Sequence, residues 1–418
     1  MPQFPRWTED GEAVKRSAAM TRLMHGFPPA PDGQVTLANW RMSPLNRWAF
    51  HHVREIVPSA DIASDPATAL ALPSAPVDIG ALRIDRDGQR ALSLDEFLDE
   101  TNTDGMVIVH RGRIVFERYA NGMTAESPHI LMSVSKSLLG LLAGALAARG
   151  DLEPDRPVTA VIPEVAGTAY SGATIRHLLD MRAGVFFDED YLAPSGPIVA
   201  YRKAVSWNPL EPGDTPADLR SFYREMTKSA GPHGGPFNYV SPNTDLLGWV
   251  IERATGERYA DLMAERLWKP MGAARSAYIT VDRLGAPRCA GGVCATVRDL
   301  ARVGQLMVEG GSRGGAQIVP ESWIDDITRN GDPDAWAAGS GARYFPGFPI
   351  RYRSKWYVLD GQAPMLFGLG IHGQNLFVDR TRQIVVAKVS SQAIPMDTAR
   401  IVLTTRAASR IMEFLAQR

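Results

Sequence analysis

The chain has 418 residues, 45% of them apolar and 22% charged, with a formal net charge of −1. That length exceeds what one hydrophobic core organises, so two substructures around a shared site are expected. A near-neutral balance with no long run of one sign excludes the concentrated basic surface that nucleic acid or an anionic membrane requires.

Residues 1–17 (MPQFPRWTEDGEAVKRS) hold no apolar stretch followed by a small-residue cleavage site, which argues against a secretory signal and for the cytoplasm. Residues 1–90 are rich in Pro and Ala with weak periodicity, and read as an extension with short helices lying over a core built later. Residues 1–45 read as extension alone, and residues 47–56 (RWAFHHVREI) as a short helix. Residues 105–110 (GMVIVH) and 114–119 (IVFERY) flank Arg111-Gly112-Arg113 as a β-hairpin. A helix is expected over residues 133–148, closed by Gly150. Its apolar part, residues 138–148, is broken by glycines and too short for a bilayer of roughly 30 Å, so it reads as a buried helix.

From about residue 155 to 275, helical patterns alternate with Pro/Gly-rich connections such as 231–236 (GPHGGP), the kind of loop that forms lids. Ser241 is placed to cap a helix with Pro242 at its first position, running to Ala254 with Gly256 beyond. Cys289 and Cys294 are the only cysteines, too few for a disulfide framework and without partners for zinc; they read as two buried thiols, with no metal site. Residues 370–378 and 383–390 look like paired strands, and 398–415 like an amphipathic closing helix. These elements predict an α+β fold, an antiparallel sheet flanked by helices, with residues 1–155 and 276–418 forming one domain and 156–275 a mainly helical insertion.

Two familiar motifs fail on context. Gly310-Gly311-Ser312-Arg313-Gly314 fits G-x-S-x-G, but a helical pattern precedes it where a nucleophile elbow needs a strand. Gly368-Leu369-Gly370-Ile371-His372-Gly373 fits G-x-G-x-x-G, but a strand follows where dinucleotide binding needs a helix.

Ser133-Val134-Ser135-Lys136 is different, an S-x-x-K opening a predicted helix. The chain has seven lysines, and Lys136 is the one with a serine three residues before it. Residues i and i+3 share a helix face, which brings the amine to the hydroxyl. A serine hydroxyl needs a neighbouring base, and a lysine buried among apolar residues can lose its proton near neutrality. A capping serine beside a surface lysine is the plain alternative, and the apolar residues 138–142 weigh against it.

With Tyr239-Val240-Ser241 ahead of a helix and Gly368-Leu369-Gly370-Ile371 ahead of a strand, the chain resembles the S-x-x-K serine hydrolases with the β-lactamase and D,D-peptidase fold. It is most similar to their 6-aminohexanoate-oligomer (nylon-oligomer) hydrolase and carboxylesterase branch. LMSVSKSL (131–138), DEDY (188–191), NYVSPNTDLLGWVIERATG (238–256), GGVCATVRDLARVG (291–304) and GLGIHGQNLFVD (368–379) carry the resemblance. It implies Ser133 as nucleophile, Lys136 as its base, and Tyr239 sharing the base role and returning a proton to the leaving group. It also implies an oxyanion hole from the N–H groups of Ser133 and Ile371, beside Gly370, and a loop on which Tyr191 closes over an amide. No cofactor is implied, and a homodimer is compatible with the family.

Departures from the family pattern narrow the substrate. The third motif, usually Lys-Thr-Gly, lacks its lysine, which disfavours a penicillin-like carboxylate, and Ser241 stands where β-lactamases often carry Asn. Arg202 falls where nylon-oligomer enzymes can use an Asp to hold an ammonium, and Ala290 where an Asn can assist. His372 reads as structural or pocket-lining. The expected function is hydrolysis of small carboxylic esters, with linear amides second. The alternatives are a β-lactamase or D,D-peptidase and a catalytically silent acyl-binding protein.

Overall fold

The computed structural model describes residues 22–86 and 88–418, so the reading of residues 1–17 and the start of the 1–45 extension lie outside the described residues. Strands are numbered β1 (Ser59–Ile62), β2 (Thr103–His110), β3 (Arg113–Tyr119), β4 (His129–Ile130), β5 (Ala277–Thr280), β6 (Val293–Ala295), β7 (Ile350–Arg353), β8 (Trp356–Leu359), β9 (Met365–Gly370), β10 (Gln374–Asp379) and β11 (Ile384–Ser390). The helices that matter for the site are α1 (Val134–Ala148), α2 (Pro197–Ala204), α3 (Pro242–Thr255), α4 (Val297–Val308) and α5 (Thr398–Ala416).

A seven-stranded antiparallel sheet runs β7-β8-β9-β10-β11-β2-β3, so β11, late in the chain, pairs with the early β2. The β2–β3 hairpin closes through Arg111 (φ 50°) and Gly112 (φ 74°). Two successive positive φ angles give the turn whose twist matches flanking strands. A smaller sheet, β1-β5-β6-β4, leads through β4 into α1.

Side chains along a strand alternate between faces, and here each face meets its own core. Val107 and Val109 of β2 pack with Leu138 of α1 and Val303 of α4. Met106 and Ile108 pack on the other side with Ile411 and Leu415 of α5 and with an aromatic group around Trp336 and Tyr357. Both faces of β2 are therefore covered, which is why it reads as a continuous apolar run. This is an α+β arrangement, a sheet between helical layers. Among the described residues no helix is long and apolar enough to cross a membrane.

Three local expectations are corrected. Residues 47–56 form only Asn46–Ala49 and a 3-10 turn, Val53–Glu55. The His51 and His52 rings meet the Arg47 and Trp48 carbonyls, the groups a continuing helix would have used. Residues 370–378 are not one strand: the chain reverses at Ile371–Gly373, where His372 (φ 62°) and Gly373 (φ 92°) turn β9 into β10. Ser241 precedes α3 but makes no side-chain cap, because its hydroxyl is taken by Glu189. The Gly310 motif sits in a tight hairpin, Ser312–Arg313 with Ala316–Gln317, and is no nucleophile elbow.

Candidate active site

Ser133 occupies the N-cap position of α1, yet its side chain does not cap the helix. Met132, directly before it, has φ 44°, a left-handed conformation that a non-glycine residue rarely adopts. That turn ends the approach from β4 and starts α1 with the Ser133 hydroxyl on a cavity of about 590 Å³. Lys136 Nζ lies 2.8 Å from Ser133 Oγ, on the same helix face. With Ser133 9% and Lys136 2% exposed, the reading of a capping serine beside a surface lysine fails.

Burial is the largest influence on the Lys136 amine and pulls its pKa down to about 7; Glu189 and Asp245 push back, and Arg288 adds to the fall. A neutral amine has two N–H groups and one lone pair. Lys136 Nζ is 2.6 Å from the Ala290 carbonyl oxygen and 4.9 Å from the Tyr239 ring centre. One N–H can therefore stay on Ala290 while the lone pair receives the Ser133 proton.

The Ala290 peptide is itself held. Its N–H donates to Asp245 Oδ1 at 2.7 Å, and the other Asp245 oxygen takes Arg288 and the Tyr201 hydroxyl, all deep in the protein. Ala290 thus enters the site through its backbone. Asp245 and Arg288 were not singled out in the sequence, where an Asp in the first turn of a helix passes as ordinary macrodipole complementation.

Tyr239 sits in the extended segment before α3, with its N–H on Ser340 Oγ at 3.0 Å. Burial, then Tyr357 and Glu189, raise its phenol well above 10, while contact with the Ser133 hydroxyl works the other way. The phenol is a proton donor at neutral pH, which favours the acid half of the role expected of it.

Glu189 is a third residue to which the sequence assigned no role. It accepts the Tyr191 hydroxyl at 2.6 Å, the Ser241 N–H at 2.6 Å and the Ser241 hydroxyl. It lies in the DEDY block (188–191) that the resemblance rests on, but by residue type the run Asp188-Glu189-Asp190 looks like a solvated loop, and only Tyr191 is given a role there. Tyr191 lines the cavity, and its carbonyl accepts from Arg202 Nη2 at 2.8 Å. Arg202, on α2, does not line that cavity and makes no ion pair among the described residues.

Ile371 lines the cavity at the end of β9. Gly370 makes that approach possible: a Cβ there would fall 2.7 Å from the Leu131 carbonyl and 3.0 Å from Met132 Cβ, immediately before Ser133. His372 turns away, with Nδ1 2.7 Å from the Gln392 carbonyl and its ring edge-on to Phe50. Burial holds its pKa near 4, so it is neutral and structural.

The Beta-lactamase family model matches residues 93–408. The chain is 36% identical over 370 residues to a 6-aminohexanoate-dimer hydrolase of Paenarthrobacter ureafaciens, covering 88% of this chain and 91% of that one. It is 28% identical over 184 residues to Esterase EstB of Burkholderia gladioli, covering 43% and 45% of the two chains. A solved structure from Bacillus anthracis, assigned as a 6-aminohexanoate-dimer hydrolase, superposes with a TM-score of 0.83 at 29% identity, over 94% of this chain and 99% of that one. The chain has the β-lactamase/D,D-peptidase fold, belongs to the Beta-lactamase family and is a serine hydrolase.

Proposed function

We propose that the chain hydrolyses carboxylic esters, and linear amides of the 6-aminohexanoate type more slowly, through an acyl-enzyme on Ser133. The observation that carries this is the 2.8 Å contact between Ser133 Oγ and a buried Lys136 whose pKa is about 7. Ser133 Oγ attacks the carbonyl carbon as its proton passes to Lys136 Nζ. The carbonyl oxygen gains negative charge and is received by the N–H groups of Ser133 and Ile371, where fixed donors stabilise it without reorganising. As the tetrahedral adduct collapses, the bond to the leaving oxygen or nitrogen breaks and Tyr239 gives that atom its proton. The Lys136 ammonium passes on the proton taken from Ser133, which restores the Tyr239 phenol and the neutral amine. Water then repeats the sequence on the acyl-enzyme and frees Ser133.

Support for esters over β-lactams comes from Gly368-Leu369-Gly370, where no cation stands to pair with a penicillin-like carboxylate. The test is hydrolysis of p-nitrophenyl esters, linear amides and nitrocefin by the wild-type chain and by Ser133→Ala. Ester turnover that falls on the order of 10³-fold or more in the variant, with the fold retained, is expected. Loss of activity in Ser312→Ala with retention in Ser133→Ala would overturn the assignment. A chain that turns over nothing, and is not labelled at Ser133 by an activated phosphonate, would be an acyl-binding protein instead.

A further inference from the structure

One wall of the Ser133 cavity is built from rings: Phe237, Tyr239, Trp336, Tyr344, Phe345 and Tyr357. They come from separate parts of the fold. Phe237 and Tyr239 precede α3, Trp336 lies on the short helix Pro333–Ala337, Tyr344 and Phe345 follow it, and Tyr357 is on β8. Five of them, Phe237, Tyr239, Trp336, Phe345 and Tyr357, form a continuous group of ring contacts, and Tyr344 lines the cavity beside them. Phe237 and Trp336 have centroids 4.8 Å apart, Trp336 lies 5.8 Å from Tyr357 in a T-shaped pair, and Phe345 lies 5.8 Å from Tyr357 and 5.9 Å from Trp336. Trp336, Phe345 and Tyr357 are buried, so each ring is fixed by its neighbours and presents a set surface to the cavity. Arg343 stands at the exposed rim, its guanidinium 4.8 Å from the Tyr344 ring centre and bonded to the Tyr344 hydroxyl at 3.0 Å. Among the described residues it has no carboxylate partner.

A wall of fixed rings discriminates by more than apolar area. Ring edges and faces carry opposite partial charge, so an aromatic group gains from offset or edge-on pairing that a saturated ring of the same size cannot make. Which half of the substrate meets the wall follows from Tyr239. It belongs to the wall and, in the mechanism proposed above, gives its proton to the departing group.

We propose that this wall is a leaving-group subsite for an aromatic ring, so that the preferred substrates are esters of arylmethyl alcohols and amides of the corresponding amines. This deepens the ester and amide hydrolase reading and rests on it. Trp336 is the specificity-determining residue, since it touches Phe237, Phe345 and Tyr357 at once.

The test compares benzyl acetate with cyclohexylmethyl acetate. The acyl group is identical and both leaving groups are alkoxides, so intrinsic reactivity is closely matched. The wild-type kcat/KM should favour the benzyl ester by roughly three- to tenfold, the range that aromatic pairing supplies. The ratio should fall towards one in Trp336→Leu and, at the half-exposed rim, in Tyr344→Leu, which keeps the test intact if the buried Trp336 variant does not fold. Equal kcat/KM values in the wild type, or a ratio unmoved in a folded variant, would overturn the proposal. So would a preference confined to the acyl side, read from ethyl benzoate against ethyl cyclohexanecarboxylate. If no ester is hydrolysed, the hydrolase reading fails separately. Calorimetric binding of benzyl alcohol against cyclohexylmethanol then decides the wall, and equal affinities would sink it.

Discussion

Glu189 Oε2 accepts the backbone N–H of Ser241 at 2.6 Å, which ties the loop bearing Tyr191 to the start of α3, two residues past Tyr239. The same carboxylate takes the Tyr191 hydroxyl and raises the Lys136 pKa. It therefore links the position of the loop to the proton affinity of the base.

Glu189→Gln separates these two effects. The charged groups acting on Lys136 are Glu189 and Asp245, which favour the ammonium, and Arg288, which opposes it. Removing the Glu189 charge leaves the amine neutral at lower pH, so the acid limb of the kcat/KM profile should move to lower pH. The neutral amide also holds the Ser241 N–H and the two hydroxyls less strongly than a carboxylate does, so KM should rise as the Tyr191 loop loosens. A purely structural role would raise KM and leave the limb in place. A pH–rate profile on p-nitrophenyl acetate checks this.

Lys136→Arg should be nearly inactive, because a guanidinium keeps its proton throughout the working range. In the wild type, activity should rise with pH through about 7, the point at which buried Lys136 gives up its proton, far below the roughly 10.4 of a free lysine. An active Arg variant, or an acid limb unaltered by substitution at Lys136, would assign the base to another group.

Tyr239→Phe should lose on the order of 10²–10⁴-fold on linear amides, the usual worth of general acid catalysis, and much less on p-nitrophenyl esters. An amide nitrogen must be protonated to leave, whereas p-nitrophenolate departs unaided. The burial that raises the Tyr239 phenol well above 10 keeps that proton available. Equal losses on both substrates would instead place Tyr239 in the activation of Ser133.

The parts of the site that could be read from the sequence are those set locally. Ser133 and Lys136 meet because three residues of helix separate them, and the hairpin at Arg111-Gly112 closes because its two turn residues accept positive φ. What could not be read is set by contacts between distant segments. Glu189 reaches Ser241 across 52 positions, and Asp245 holds Ala290 across 45, neither carrying a local pattern. The turn at His372 was hidden for a different reason. Its left-handed backbone is stabilised by tertiary bonds to Pro395 and Gln392, so the flanking apolar residues looked like one strand.

We propose that Arg202, although it does not line the cavity, bears on amide specificity through two separable effects. Its guanidinium holds the Tyr191 carbonyl at 2.8 Å, and it carries a positive charge behind that loop. The linear 6-aminohexanoate dimer carries an ammonium, so the wild type should cleave it poorly relative to short uncharged esters. At about 4 Å, like charges repel by roughly 1 kcal/mol in water and roughly 4 kcal/mol at an effective dielectric of 20. Reversing the charge should therefore raise the dimer-to-ester ratio of kcat/KM by about fivefold or more. Arg202→Gln removes both charge and tether, whereas Arg202→Asp, preferably with Ala290→Asn, also supplies attraction. A ratio that rises in the Asp variant well beyond the Gln variant identifies charge as the cause. Equal changes in both would mean that the Tyr191 tether alone matters. Efficient cleavage of the dimer by the unmodified chain would show that another group receives the ammonium, and the charge argument would fall.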